Sequence, residues 1–401
     1  MPVARAVKDA LGSSSMIRRM FEEGIGLKKK FGPDKVFDFS LGNPDLEPPE
    51  AFHQTLLRLV TENAPGSHGY MPNAGFPHVR EALARKASVE QGTALELRHI
   101  VMSVGAAGAL NTILKAVLNP GDEVVVSRPY FMEYRAYIAN HGGKLVEAAA
   151  DEGFNLDTDT VRAALSEKTA AVLINSPHNP TGRVYPQKTI AALAEVLLEH
   201  GRKTGRFPYL VADEPYRELV YDGLTVPPIL SAYPHSIVAT SYSKSLSLPG
   251  ERIGYIAVGP RNDDEDSLID ALIYATRVLG YVNAPALMQR CVAELSKVKA
   301  AVDVYAARRS AFKKVLDHAG LSYINPEGAF YIFCKVPGGF ANDDRAFVDA
   351  LKKHLILGVP GSSFGAPGWV RFAYCVSEEN IRNSAAAFKA VCCGQQGPPA
   401  G

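Results

Sequence analysis

A series of seven short apolar runs between about residue 99 and residue 258 constrains the fold more than any other feature of the sequence. The runs are HIVMSV, DEVVVS, GKLVEAA, TAAVLIN, PYLVADE, SIVATSY and IGYIAVG. Several are apolar almost throughout, which is typical of strands that helices cover on both faces. Because longer amphipathic segments separate them, the pattern predicts a three-layer α/β/α domain with a mostly parallel seven-stranded sheet.

The remaining patterns predict helices and a second domain. Helices are indicated at AAGALNTILKAVL, FMEYRAYIANHG and PQKTIAALAEVLLEHGRKTG, the last with Gly201 near its C-terminal stop. From about Asn283 to Gly320 the sequence indicates one long helix or two in line. Short strand candidates and two helices follow, which is typical of a smaller α+β domain. We therefore expect three parts: a large domain at 46–284, a small domain at 1–45 together with 285–392, and a disordered tail at 393–401.

Composition limits the partners of the chain. The 43 Lys and Arg residues nearly balance the 42 Asp and Glu residues, so the net charge of +1 predicts neither nucleic-acid nor membrane binding. The five cysteines show no CxxC spacing and no compact even-numbered framework, and no apolar run reaches 18 residues. We predict a cytoplasmic protein without a metal site.

Residues that follow the strands carry the candidate chemistry, because open α/β sheets bind ligands beyond the carboxyl ends of their strands. The turn from Gly105 to Gly108 opens a helix whose N–H groups can hold a phosphate, and a plain tight turn is the alternative. Asn179 stands among prolines, where turn chemistry alone is the alternative. Asp213 and Tyr216 follow a buried strand, and a buried Asp needs a positive partner or several donors.

The stretch SYSKSLSLPGERIGY follows the sixth apolar run. Its Ser241 and Ser243 are short hydroxyl donors, and Arg252 is suited to bidentate phosphate binding. The amine of Lys244 can then attack an aldehyde and form a Schiff base, although most lysines are surface charges. Pyridoxal phosphate reconciles these groups, because it brings an aldehyde to Lys244, a phosphate to the anion-binding donors and a pyridine nitrogen to Asp213.

Ten motifs in order extend this interpretation to nearly the whole chain. They are GNPD, GYMPNAG, SVGAAGAL, RPYFMEY, NSPHNPTG, ADEPY, SYSKSLSLPGERIGY, PEGAFYIF, PGSSFG and WVRFAY. In these motifs the sequence resembles the class I/II aminotransferases of the type I pyridoxal-phosphate fold, which include aspartate aminotransferase. The resemblance implies that fold, pyridoxal 5'-phosphate as cofactor, and a homodimer with shared active sites.

The resemblance also implies a role for each cofactor-site residue. Lys244 would hold the cofactor as a Schiff base and then act as general base and acid. Asp213 would keep the ring nitrogen protonated, and Phe131 would stack on the ring. Asn179 and Tyr216 would hydrogen-bond the phenolate oxygen of the ring. Backbone and side-chain donors would hold the phosphate: Gly105, Ala106, Ala107, Ser241, Ser243, Arg252 and, from the neighbouring subunit, Tyr70.

The implied substrates are an L-amino acid and a 2-oxo acid such as 2-oxoglutarate. Arg371 would bind the α-carboxylate as a two-pronged pair, with help from Asn179 and the backbone of Gly42. A ping-pong mechanism through aldimine and ketimine intermediates is implied, with an aspartate-like donor favoured. Donors such as alanine, aromatic or other neutral amino acids are the alternative. C–S β-lyases and cyclopropane-carboxylate synthases share this fold, and a non-catalytic sensor is disfavoured because only about 40 residues precede GNPD.

The side-chain pocket of the substrate is expected near the N-terminal segment from Met16 to Phe21, the GNPD loop, Tyr70 and Tyr134. A dicarboxylate donor calls for a second cation in that pocket. The candidates are Arg18, Arg19 and Arg80, each of which has a solvated helix charge as its alternative role.

Overall fold

The computed structural model describes residues 3, 4, 7, 8 and 16–392. The predicted tail at 393–401 lies outside these residues, as do the side chains of residues 16–18 and 21. The helices are α1 Met16–Phe31, α2 Glu50–Glu62, α3 Pro77–Gln91, α4 Gly105–Val117, α5 Glu133–Ala139, α6 Thr158–Ala164, α7 Gln187–Thr204, α8 Glu265–Val278, α9 Ala286–Glu294, α10 Val302–His318, α11 Asp344–Lys353, α12 Glu378–Asn383 and α13 Ala385–Cys392.

Thirteen strands accompany these helices in the described part of the chain. They are β1 Phe37–Asp38, β2 Ile100–Ser103, β3 Glu123–Arg128, β4 Lys144–Ala149, β5 Thr169–Asn175, β6 Tyr209–Asp213, β7 Ser236–Ser241, β8 Gly254–Val258, β9 Tyr323–Ile324, β10 Tyr331–Lys335, β11 Ile356–Leu357, β12 Val359–Pro360 and β13 Trp369–Ala373. The seven apolar runs correspond to β2 through β8. They form one seven-stranded sheet in the order β2-β8-β7-β6-β5-β3-β4. All neighbours are parallel except β8, which is antiparallel to both β2 and β7. The predicted sheet is therefore confirmed.

Helices cover both faces of this sheet, which explains why its strands are apolar almost throughout. Ala171 and Leu173 of β5 belong to a core cluster with residues of α4 and α8, such as Ile113 and Leu272. The alternate β5 residues, including Val172, belong to a second cluster with residues of α3 and α7. Successive side chains of a strand point to opposite faces of the sheet, so one strand contributes side chains to both clusters. The three-layer α/β/α prediction is confirmed.

A smaller α+β unit follows the large sheet. Its four-stranded antiparallel sheet has the order β12-β13-β10-β9, and its core includes Phe312 and Phe347. The N-terminal segment joins this unit, because β1 pairs in parallel with β11 and Phe39 packs 4.7 Å from Phe312, centroid to centroid. The division into domains at residues 284 and 285 stays a prediction, since the core of the large sheet continues through Met288 and Cys291 of α9.

The segment predicted as one long helix or two in line consists of two helices. Helix α9 ends at Glu294 and α10 begins at Val302. Helix α9 packs against α2 and α3 beside the large sheet, whereas α10 packs against α12 and α13 in the smaller unit. The two helices therefore belong to different cores, which a helical pattern alone does not reveal. In the part of the chain that the structure describes, every helix is too short or too polar to cross a bilayer.

Helix α7 corresponds to the predicted helical segment PQKTIAALAEVLLEHGRKTG, and Gly201 lies near its C-terminal end. It continues past Gly201 to Thr204, and Gly205 ends it with a left-handed φ of 76° and an N–H bond to the Gly201 carbonyl of 2.8 Å. Position 201 lies inside the helix and is a glycine because the ring of Phe207 packs on its Cα, in the space that a β-carbon would occupy. The reason for this glycine is close packing and not helix termination.

We predict that Gly201→Ala lowers the free energy of unfolding by about 1–3 kcal/mol, because the added methyl group overlaps the Phe207 ring. Gly26→Ala is the matched control, since Gly26 is also helical and a β-carbon there meets no atom within 4 Å. That variant should be neutral or more stable by up to about 1 kcal/mol. Thermal unfolding followed by circular dichroism measures both, and equal melting temperatures for the two variants would contradict the packing argument.

Candidate active site

A cavity of about 540 Å³ lies at the carboxyl ends of β5, β6 and β7, between the large sheet and the smaller unit. Twelve of the fourteen residues predicted to act in catalysis or to bind the cofactor or the substrate α-carboxylate line it. They are Gly42, Ala106, Ala107, Phe131, Asn179, Asp213, Tyr216, Ser241, Ser243, Lys244, Arg252 and Arg371. The exceptions are Gly105, which lies just behind Arg252, and Tyr70. Residues from distant parts of the sequence thus share one cavity, as expected for a site at a sheet edge.

Lys244 lies in the turn after β7, with its amine inside the cavity. Its Nζ donates a hydrogen bond of 2.6 Å to the carbonyl oxygen of Gly42. Burial, with a smaller contribution from the nearby guanidinium of Arg371, lowers the pKa of Lys244 to about 8. The unprotonated amine is therefore much more populated near neutral pH than in an exposed lysine, and this is the form that attacks a carbonyl carbon or accepts a proton.

Asp213 is the last residue of β6 and has one free carboxylate oxygen. Tyr134 Oη donates a hydrogen bond of 2.6 Å to Oδ2, while Oδ1 is buried and has no partner among the described residues. Burial raises the pKa of Asp213 to about 7, and the Tyr134 hydrogen bond opposes this rise. The sequence predicts Tyr134 near the substrate side-chain pocket; Tyr134 lines the cavity, and its hydroxyl also positions this carboxylate. A protonated ligand nitrogen beside Oδ1 would supply the missing partner.

Asn175 connects the residues at the ends of β5 and β6, and sequence reasoning missed it. Its Nδ2 donates to the Asp213 carbonyl at 2.7 Å, and its Oδ1 accepts from the Asn179 backbone N–H at 2.7 Å. Parallel pairing sets Asn175 directly beside Asp213. Its position as the last residue of an apolar strand was the signal that could have identified it.

Arg371 lies in β13 and is buried, with 1% of its surface exposed. Its Nη1 donates to Asn179 Oδ1 at 3.0 Å and its Nη2 to the Ser40 carbonyl at 2.6 Å. The rings of Tyr331 and Phe364 lie 4.5 Å and 5.0 Å from the guanidinium carbon. Among the residues described, no carboxylate forms an ion pair with Arg371, and its Nε has no partner. A buried guanidinium without a carboxylate partner is suited to bind the carboxylate group of a ligand.

The N-terminus of α4 and Arg252 form an anion-binding corner of the cavity. Helix α4 has no side-chain cap and no acidic residue in its first turn, so its leading N–H groups are open to a ligand. Within the described part of the chain, Arg252 donates only to backbone carbonyls, to Pro249 at 2.9 Å and to Val104 at 3.4 Å. Gly105 makes room for it, because a β-carbon there would lie 2.8 Å from Arg252 Nη2. The corner fits a phosphate group.

Tyr331 is a second residue that sequence reasoning missed, although it lies in the quoted motif PEGAFYIF. Its hydroxyl forms a hydrogen bond of 2.7 Å with the hydroxyl of Tyr216. Burial raises the pKa of Tyr331 to about 12 and also raises that of Tyr216. The Tyr331 hydroxyl also packs on Gly42, where a β-carbon would overlap it. Both phenols are therefore neutral hydrogen-bonding groups of the cavity wall.

The remaining predicted residues lie elsewhere. Tyr70 is 93% exposed and belongs to a separate surface cleft with Tyr281 and Asn283. Arg19 is exposed, and Arg80 is buried outside the cavity with its Nε bonded to the Ile100 carbonyl at 2.7 Å. The side chain of Arg18 lies outside the described residues. Neither Arg19 nor Arg80 supplies the second cation that a dicarboxylate donor calls for.

Comparison with known proteins identifies the family. The model of the family described as "Aminotransferase class I and II" matches residues 34–388. The chain is 34% identical over 373 residues to a protein of Thermus aquaticus named probable aspartate/prephenate aminotransferase, covering 91% of this chain and 93% of that protein. The chain belongs to the class I and II aminotransferase family. It is therefore an enzyme of the aminotransferase type, as the motifs predicted.

Solved structures confirm the type I fold of this aminotransferase. An amino transferase from Eubacterium rectale is 38% identical, with a TM-score of 0.93 over 98% of each chain. Aspartate aminotransferase from Thermus thermophilus, solved with maleate, is 30% identical, with a TM-score of 0.86 over 98% of this chain and 100% of that chain. The similarity spans both the large sheet and the smaller unit.

We predict that Asp213→Asn stabilises the aminotransferase when it is prepared free of any bound cofactor. The pKa of Asp213 is about 7 in the folded chain, against an ordinary value of 3.8. Well below pH 4 the carboxyl is protonated in both the folded and the unfolded chain, so it does not change the free energy of unfolding. As the pH rises from about 4 to about 7 the wild type loses stability that the asparagine variant keeps, by up to about 4 kcal/mol. Melting temperatures measured from pH 4 to pH 8 test this.

Asp122→Asn is the control for this prediction and should have the opposite sign. The Arg206 guanidinium hydrogen-bonds Asp122 and lowers the pKa of that carboxyl, so ionised Asp122 stabilises the fold above pH 4. Its asparagine variant should lose stability at neutral pH. A parallel pH dependence for the two variants would show that Asp213 is an ordinary paired carboxylate.

Proposed function

We propose that this aminotransferase binds pyridoxal 5'-phosphate in the cavity and transfers the amino group of an L-amino acid to a 2-oxo acid such as 2-oxoglutarate. One observation carries the proposal: the Lys244 amine and the unpartnered Oδ1 of Asp213 belong to the same cavity. A single ligand with an aldehyde and a protonated ring nitrogen satisfies both groups. The family to which the chain belongs supports the same cofactor.

The residues present fit this cofactor at each of its ends. The phosphate would lie against the N-terminus of α4, the hydroxyls of Ser241 and Ser243, and Arg252. Phe131 would stack on the ring, and Tyr216 would hydrogen-bond its phenolate oxygen together with the Asn179 side chain. Tyr134 holds Asp213 so that Oδ1 is the oxygen left for the ring nitrogen. When bound, the cofactor supplies an electron sink for the carbanion left by loss of the Cα proton.

The residues of the chain bind the substrate and move its proton. Arg371 would hold the α-carboxylate with the two donor groups of its fork, and its buried position strengthens that ion pair. Lys244, whose burial lowers its pKa to about 8, would accept the proton from Cα and return it one step later. The Gly42 carbonyl orients the Lys244 amine toward the cavity. Because Gly42 and Arg371 come from segments of the smaller unit, substrate binding would draw that unit onto the large sheet.

An aspartate-like donor is our first candidate. The relatives named aspartate/prephenate aminotransferase in Thermus aquaticus and aspartate aminotransferase in Geobacillus stearothermophilus, the latter 30% identical over 368 residues, support it. Alanine, an aromatic or another neutral amino acid is the second candidate. The balanced charge and the free thiols of Cys291, Cys334 and Cys375 support a cytoplasmic location.

We expect the protein loaded with pyridoxal 5'-phosphate to convert its aldehyde to the amine form when an amino donor is added without an acceptor. Absorbance spectroscopy with a panel of donors, beginning with L-aspartate, measures this half-reaction, and 2-oxoglutarate should reverse it. Lys244→Ala should lose at least about 10³-fold in rate, because it lacks the group that moves the proton. Release of pyruvate and ammonia without any acceptor would indicate a β-lyase and refute amino transfer.

A homodimer with shared sites is the second part of the proposal. Tyr70 is 93% exposed, and it lines a surface cleft with Tyr281 and not the cavity of its own chain. A large exposed aromatic side chain of this kind is typical of protein interfaces. We propose that a second copy of the chain covers this surface and that Tyr70 reaches the phosphate in the site of its partner.

Mixed dimers test this arrangement. Tyr70→Ala and Lys244→Ala homodimers should each have low activity, because every site lacks one group. Refolding the two variants together at equal concentration should restore roughly one quarter of wild-type activity, since about half the dimers are hybrids and each hybrid has one intact site. Activity no higher than the sum of the two homodimers would show that Tyr70 does not act across an interface.

A further inference from the structure

Glu133 is the one charged residue among the described lining residues of the cavity to which the proposed chemistry assigns no role. The other charged groups are Lys244, Arg252, Arg371 and Asp213, and each has a proposed partner in the cofactor or in the substrate α-carboxylate. Apolar and phenolic residues such as Leu41 and Tyr137 line the cavity as well. Once the α-carboxylate and the amino group of a donor are bound, its side chain would occupy the part of the cavity that the cofactor leaves open.

The start of α5 aims Glu133 at the cavity. Helix α5 begins at Glu133, and Phe131 and Tyr134, on either side of it, both line the cavity. Tyr137 lies four residues later on the same face and also lines the cavity. The two side chains interact, because Glu133 contributes to the raised pKa of the Tyr137 phenol, after the larger effect of burial.

Glu133 forms no ion pair and no side-chain hydrogen bond with any residue that the structure describes. Glu147 on the adjacent strand shows the contrast, because its Oε1 accepts from Tyr130 at 2.7 Å and pairs with Arg135 at 3.0 Å. Glu147 does not line the cavity. The negative charge of Glu133 is therefore available to a ligand, whereas that of Glu147 is neutralised within the fold.

We infer that Glu133 is a specificity-determining residue that faces the side chain of the amino donor. Its carboxylate favours donors whose side chain ends in an N–H or O–H donor, and it disfavours a second carboxylate at the same place. The inference rests on the proposed amino transfer and refines its donor class. A dicarboxylate can still enter, but it brings a like charge toward Glu133, while an amide of the same length can donate a hydrogen bond to it.

The test is the ratio of kcat/KM for L-aspartate to kcat/KM for L-asparagine, measured with the cofactor-loaded protein and 2-oxoglutarate. Glu133→Gln should raise this ratio by roughly tenfold, because it removes the repulsion of one donor and weakens the hydrogen bond of the other. Glu133→Lys should raise it further. A ratio cancels any loss of folded protein or of general catalytic competence that both donors share.

Glu147→Gln is the matched control, since it makes the same chemical change outside the cavity and should leave the ratio unchanged. An equal ratio in wild type and Glu133→Gln, with both donors converted, would overturn the inference and leave amino transfer intact. Failure of the wild type to convert any amino acid would instead overturn the proposed function, and the inference with it. Equal changes in Glu133→Gln and Glu147→Gln would also overturn the inference, because they would reflect a general electrostatic effect.

Discussion

The buried carboxylate of Asp213 is the group on which the arrangement of the cavity depends. Parallel pairing of β5 with β6 places it beside Asn175, whose amide joins the Asp213 carbonyl to the backbone of Asn179. Tyr134 binds one carboxylate oxygen and leaves the other without a partner. A buried carboxylate in this condition lowers the stability of the fold until a ligand completes it. The cavity is therefore organised for a positively polarised group at this point.

Arg371 is the buried charged group that the smaller unit contributes to the cavity, as Asp213 is for the large sheet. Its guanidinium contacts Asn179 from the large sheet and Ser40 from the N-terminal segment, and the aromatic rings of Tyr331 and Phe364 flank it. Both units and the N-terminal segment thus meet at one buried cation. Low polarity around it strengthens any ion pair with a ligand carboxylate, so substrate binding and contact between the units are physically coupled.

Sequence patterns predicted most of this site because each functional residue follows a strand or belongs to a short motif. They did not predict Asn175 and Tyr331, whose partners become neighbours only through folding. Tyr331, for example, bonds to Tyr216, which is 115 positions away in the sequence. The hydrogen bond between Tyr134 and Asp213, which are 79 positions apart, was likewise not predicted. The contact of Gly201 with the Phe207 ring also cannot be inferred from helical periodicity.

The sequence by itself determined the seven strands, the three-layer architecture and the family, because apolar periodicity and ordered motifs are local properties of the chain. Only the tertiary structure decided which oxygen of Asp213 has no partner among the described residues, and that the same holds for Arg371 with respect to carboxylates. It also decided that Glu133 lines the cavity while Glu147 is paired elsewhere. These features depend on distances between atoms of separate segments. The type of a residue determines which groups its side chain is able to bind. Packing and burial determine which of those groups the fold itself already supplies.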